Sequence, residues 1–84
     1  MCVIIAKKQD NFNIPTKEYL LKAWSHNRDG AGYAFTTNEG ISIVRKGFMH
    51  FEDFYKDFTE LNKKYNFSDK NLVIHFRIGT HGRY

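Results

Sequence analysis

The sequence predicts an α+β fold of about four mostly antiparallel strands and two helices, on three observations. Two continuous β-rich runs, Val3-Ile4-Ile5-Ala6 and Leu72-Val73-Ile74-His75-Phe76, stand near its opposite ends. Two intervening stretches repeat apolar residues at helical spacing. Between those stretches, two short β-rich runs flank a Gly-containing three-residue connection, the pattern of a hairpin.

The first run is bounded by Lys7-Lys8-Gln9-Asp10 and reads as a strand apolar on both faces. Pro15 then takes the place of a first-turn helix proline, and Thr16 to Ser25 carries Tyr19, Leu20, Ala23 and Trp24 on one stripe. A loop follows, His26-Asn27-Arg28-Asp29-Gly30-Ala31-Gly32, whose Asn/Asp and Gly residues favour positive-φ backbone. The hairpin spans Tyr33 to Thr37, a turn at Asn38-Glu39-Gly40, and Ile41 to Lys46. Phe51, Phe54, Tyr55, Phe58, Leu61 and Tyr65 then mark an amphipathic helix with acids in its first turn. Asn66 to Asn71 reads as a polar connector to the last strand, which runs straight into Arg77-Ile78-Gly79-Thr80-His81-Gly82. Without repeats or flexible linkers, residues 1–84 read as one domain. Two strands apolar on both faces demand cover on both sides, and two helices can cover only one.

Composition narrows the function. Hydrophobic residues make up 42% and aromatics 17%, which suits a globular chain and excludes a solvated tail. The net charge of +4 is spread through pairs such as Lys7-Lys8, Arg45-Lys46 and Lys63-Lys64, so it reads as a solvated face. It lacks the clustering of a nucleic-acid site, and that partner is disfavoured. One cysteine allows no internal disulfide, and no run is long enough for a signal peptide or membrane span, so a cytoplasmic protein without a membrane partner is expected. Cys2, His26, His50, His75 and His81 show no close metal-ligand pairing; neither a metal nor another cofactor is expected, and the first three histidines read as structural.

Three segments could carry chemistry. Removal of Met1 would leave Cys2 with a free α-amine, whose reference pKa of roughly 7.7–8.0 lies close to the ~8.5 of a thiol. The pair can then share a proton near neutral pH, although position alone favours a small apolar residue starting a buried strand. Arg77 offers a planar fork for a carboxylate, with the Thr80 hydroxyl and flexible Gly79 and Gly82 beside it; taken alone, the segment favours an ordinary surface ion pair and a turn. The Asn27 to Gly32 loop precedes a strand, so it is not a phosphate cradle.

Taken in order, Met1-Cys2 opening a strand, Asn-x-Asp-Gly-x-Gly at 27–32 and His-x-Arg-x-x-Thr-His-Gly at 75–82 resemble the class II glutamine amidotransferases. These are amino-terminal nucleophile hydrolases with a four-layer αββα sandwich, and they release ammonia from the side-chain amide of glutamine. The resemblance implies that Cys2 is the catalytic nucleophile and its α-amine the proton shuttle. Arg77 would hold the α-carboxylate of glutamine, with Thr80, His81 and Gly82 in the substrate-binding turn. Asp29, Gly30 and Gly32 would shape a neighbouring loop. Val3 stands where many members have glycine, and Ile78 where some have an aromatic residue. The family's downstream Asn-Gly oxyanion donors have no counterpart in residues 1–84. The chain is therefore expected to supply part of the sandwich, completed by a C-terminal half, a partner or a second copy. A relative that binds a small molecule or protein without turnover is the alternative, and a small basic nucleic-acid-binding module a weaker one.

Overall fold

The computed structural model describes residues 2–78, in the order β1 (Cys2–Lys7), α1 (Lys17–Ser25), β2 (Gly30–Thr36), β3 (Ser42–Phe48), α2 (Phe51–Tyr65), a 3-10 turn (Phe67–Asp69) and β4 (Leu72–Arg77). The strands form one sheet in the order β1-β4-β2-β3, and every neighbouring pair is antiparallel. β1 and β2 therefore run parallel on either side of β4, just as β3 and β4 do on either side of β2. Each helix joins such a split pair, so the fold is two interlocked βαβ units.

The helices start and stop for local reasons. Pro15 does not lie in the first turn: Thr16 is the N-cap of α1, its Oγ1 accepting the Tyr19 N–H at 3.1 Å, and Pro15 lies one residue outside. Leu20 and Trp24 form the buried edge of α1, while Tyr19 turns to solvent. α2 carries Glu52 and Asp53 in its first turn and Lys63 and Lys64 in its last, complementing the helix dipole at both ends. It stops at Asn66, which takes the left-handed conformation at φ 61°.

Both helices lie over the face of the sheet that carries Tyr33, Phe35, Leu72, Ile74 and Phe76. The core between them is mostly rings. Phe54 meets Phe76 edge-on at 5.2 Å, Tyr33 meets Phe58 at 5.2 Å, and Phe35 tilts against Phe67 at 4.7 Å. Phe67 is fully buried, so the stretch that reads as a polar connector is a core element. Its single large apolar residue goes inward because the 3-10 turn seats it beneath β2; Asn62 Oδ1 accepts its N–H at 2.8 Å.

The expectation of strands buried on both faces is corrected. β4 alternates strictly, with Leu72, Ile74 and Phe76 buried and Val73 and Arg77 exposed. The open face carries Ile4, 67% exposed, Val44, 61%, and Val73, 44%, together with Ala6, Gly32 and Ala34. These residues share rows across the strands: Ala6-Val73-Ala34-Val44 and Ile4-His75-Gly32-Lys46.

Register is held at one end by Lys7. Its Nζ donates to the carbonyls of Lys8 at 3.1 Å, Ser68 at 2.9 Å and Lys70 at 2.8 Å, and the residue is buried, unlike the solvated lysine pair that the sequence suggests. Burial pulls its ammonium below the usual lysine range, opposed by the charges of Asp69 and Asp10. The bonds to Ser68 and Lys70 tie β1 to the turn before β4, so a one-residue slip of β1 would forfeit both.

Candidate functional site

Opposite the Lys7 clamp, the other end of the sheet brings together three segments that are remote in sequence. Cys2 is the register partner of Arg77 on one side of β4, and Gly30 is its partner on the other. The Asp29 N–H donates to the Arg77 carbonyl at 2.7 Å, extending that pairing into the loop. Antiparallel β1-β4-β2 packing thus places the start of two strands beside the end of the third.

The loop before β2 is built from α1. Asn27 is buried; its Nδ2 donates to the Ala23 carbonyl at 3.0 Å and its N–H to the Trp24 carbonyl at 2.9 Å, closing the last turn. In this segment the expected positive φ is found at Gly30 alone, at 152°, and Gly30 to Gly32 open β2 where the sequence suggests a loop. Gly32 is constrained by crowding instead: a Cβ there would lie 3.0 Å from the Arg45 carbonyl and 3.1 Å from the Lys46 Cα. That close approach occurs where the β2-β3 ladder shifts register, with Gly47 as the extra residue between the partners of Ala31 and Gly32. Gly32 therefore secures β3 against β2, and Asp29 and Gly30 supply the rim.

At this end lies a cleft of about 250 Å³, lined by Asp29, Gly30, Ala31, Gly32, Lys46, Gly47, Met49, His75 and Arg77. Its floor is the nearly bare backbone of β2, and Arg77 and Lys46 rise from the strands on either side. Neither side chain is in an ion pair among the described residues; the neighbouring Arg45 instead turns to the helix side, where it grips Asp57. Two exposed cations at the rim of one cleft can hold a carboxylate or another anion through charge-assisted hydrogen bonds. Among the described residues, no group of three His, Cys, Asp or Glu side chains gathers in a way that could hold a metal ion.

Of the residues singled out from the sequence, Cys2, Asp29, Gly30, Gly32 and Arg77 converge on this end of the sheet. Thr80, His81 and Gly82 lie outside the described residues. Lys46, Met49 and His75 line the cleft without having been singled out for it. His75 was legible in principle, because it alternates with the buried Ile74 and Phe76. Lys46 was not, since its position opposite Gly32 depends on a bulge that no local pattern announces.

No helix is long and apolar enough to cross a membrane. The chain matches no protein-family model, no curated protein and no solved structure.

Proposed function

We propose that this chain carries the nucleophile and carboxylate anchor of a class II glutamine amidotransferase-type site, hydrolysing the side-chain amide of glutamine. The observation that carries the reading is the register Cys2–Arg77–Gly30 across β1, β4 and β2. The described residues of three motifs whose order in sequence resembles that family lie side by side at one end of one sheet. Nothing in their spacing along the chain requires this.

In the proposed reaction, Arg77 takes the α-carboxylate of glutamine in a bidentate pair and so orients the side chain toward β1. The α-amine of mature Cys2 accepts the thiol proton, and the sulfur attacks the amide carbon. Collapse of the tetrahedral intermediate breaks the C–N bond. The ammonium form of the Cys2 terminus returns its proton to the departing nitrogen, which leaves as ammonia. Water then hydrolyses the thioester to glutamate and restores the thiol. On this reading the open face of the sheet is the inner face of a sandwich, and the layer that covers it also brings the oxyanion donors, each worth roughly 2.7–4 kcal/mol. Cytoplasmic placement accords with a reactive thiol that must stay reduced.

The test is the intact mass of the purified chain before and after exposure to a glutamine-like diazoketone. Loss of Met1 and one adduct mapped to Cys2 are expected, with Cys2→Ala taking none. A matured chain that takes no adduct, alone or in any longer form, would leave ligand binding without turnover as the function. The Arg77 cleft supports that second reading by itself.

A further inference from the structure

The cleft holds one more cation than a single carboxylate needs. Arg77 and Lys46 stand on strands that flank β2, hence two strand spacings or roughly 10 Å apart across the sheet and one two-residue step, roughly 7 Å, along it. A single carboxylate engaged bidentately by Arg77 leaves the Lys46 ammonium to water. Two acid groups joined by a short linker would occupy both, with the linker lying over Gly30, where nothing stands within 4 Å of the position a Cβ would take, and meeting Lys46 where its stem closes over Gly32.

The order of the strands decides which end of the ligand is extended. Cys2 lies on the β1 side of Arg77, and Lys46 lies on the opposite side, beyond β2. A glutamine whose carboxylate sits on Arg77 and whose amide points toward Cys2 has only its α-amino substituent left to reach toward Lys46.

We propose, building on the function above, that the preferred ligand is a short peptide ending in glutamine after an acidic residue, its terminal carboxylate on Arg77 and the preceding acid on Lys46. The experiment titrates the full chain carrying Cys2→Ala, which lacks the nucleophile, with glutamyl-glutamine, alanyl-glutamine and free glutamine, by calorimetry at fixed salt. Glutamyl-glutamine is expected to bind about tenfold more tightly than alanyl-glutamine, the worth of one charge-assisted hydrogen bond. Lys46→Met should abolish that preference and leave alanyl-glutamine unchanged, whereas Arg77→Met should weaken all three. Equal binding of the two dipeptides, equal loss for both in Lys46→Met, or binding of none of the ligands overturns the proposal. The Cys2 labelling experiment reports separately: an adduct without the dipeptide preference keeps the glutamine reading and removes this one, and the preference without an adduct does the reverse.

Discussion

The two faces of the sheet are made by the same four strands and are chemically opposite. The helix-covered face holds Tyr33, Phe35, Leu72, Ile74 and Phe76, sealed by Trp24, Phe51, Phe54, Phe58 and Phe67. The other holds Ile4, Ala6, Gly32, Ala34, Val44, Val73, His75, Lys46 and Arg77, mostly small or charged and largely open to water. A period of two separates them: of residues adjacent in sequence, such as Phe76 and Arg77, one is packed in the core and the other stands on the face where binding is proposed. The face that holds the fold together is thereby insulated from the face on which chemistry is proposed. Changes to one should leave the other's task largely intact.

The largest expected break in that comparison comes from the covered face. Phe54 is fully buried and packs on Tyr33, Phe48, Phe51, Phe58 and Phe76. Phe54→Ala should cost about 3–5 kcal/mol through lost transfer energy and the cavity left behind. For a chain of this size that is most of the available stability, so urea titration by circular dichroism should find the variant largely unfolded. A cost below about 1 kcal/mol would mean that the aromatic layer is not what holds the sheet.

Much of the covered face was legible from sequence, and the reason is periodicity. The stripe of Tyr19, Leu20, Ala23 and Trp24, the spacing of Phe51, Phe54 and Phe58, and the β-rich runs identify both helices and all four strands, within a residue or two at most boundaries. Two features escaped. Phe67 reads as part of a polar connector because Ser68, Asp69 and Lys70 surround it, and only the tertiary seat of the 3-10 turn makes it core. Lys7 reads as solvated because its partners are carbonyls of residues 68 and 70, which no local pattern brings near. The site was legible only in its parts. Cys2, Arg77 and the Asp29–Gly30 rim can be named from motifs, whereas their adjacency depends on β4 inserting between β1 and β2, a matter of topology.

A smaller effect tests the polar rim of the covered face. Tyr33 Oη donates to Asp57 Oδ2 at 2.6 Å, and Arg45 grips the same carboxylate through Nε at 3.0 Å and Nη2 at 2.6 Å, joining β2, β3 and α2. The Arg45 hydrogen bonds hold the Asp57 carboxyl below its ordinary 3.8 despite burial, with Tyr33 adding to the effect. Its contribution is therefore present above pH 3.8 and lost as pH falls through the lower folded value. Burial, then the bond to Asp57, pushes the Tyr33 phenol above its ordinary 10.0, so its contribution is present below that pH and lost as pH climbs past it toward the raised folded value. Asp57→Asn should lower stability by about 1.5–3 kcal/mol at neutral pH and shrink the acid-side loss. Urea midpoints measured from pH 2 to 11 would show this. A variant whose acid limb matches the parent's would assign that limb elsewhere, with Asp69 beside Lys70 the next carboxylate to examine.

The smallest expected effect carries the most information about the open face. Ile4→Thr and Val44→Thr should each change the stability of residues 1–84 by no more than about 0.5 kcal/mol, because both side chains remain mostly in water. If a second layer covers this face, as the proposed sandwich requires, the same substitutions should cost about 1.5–3 kcal/mol in that covered form, the value of burying such a side chain. The comparison is made by measuring urea midpoints of residues 1–84 and of any longer or complexed form side by side. A cost above about 1.5 kcal/mol already in residues 1–84, with a midpoint that rises with protein concentration, would mean that two copies bury this face against each other. A small cost in every form would mean that the face stays open and that nothing needs to cover it for the Arg77 cleft to bind its ligand.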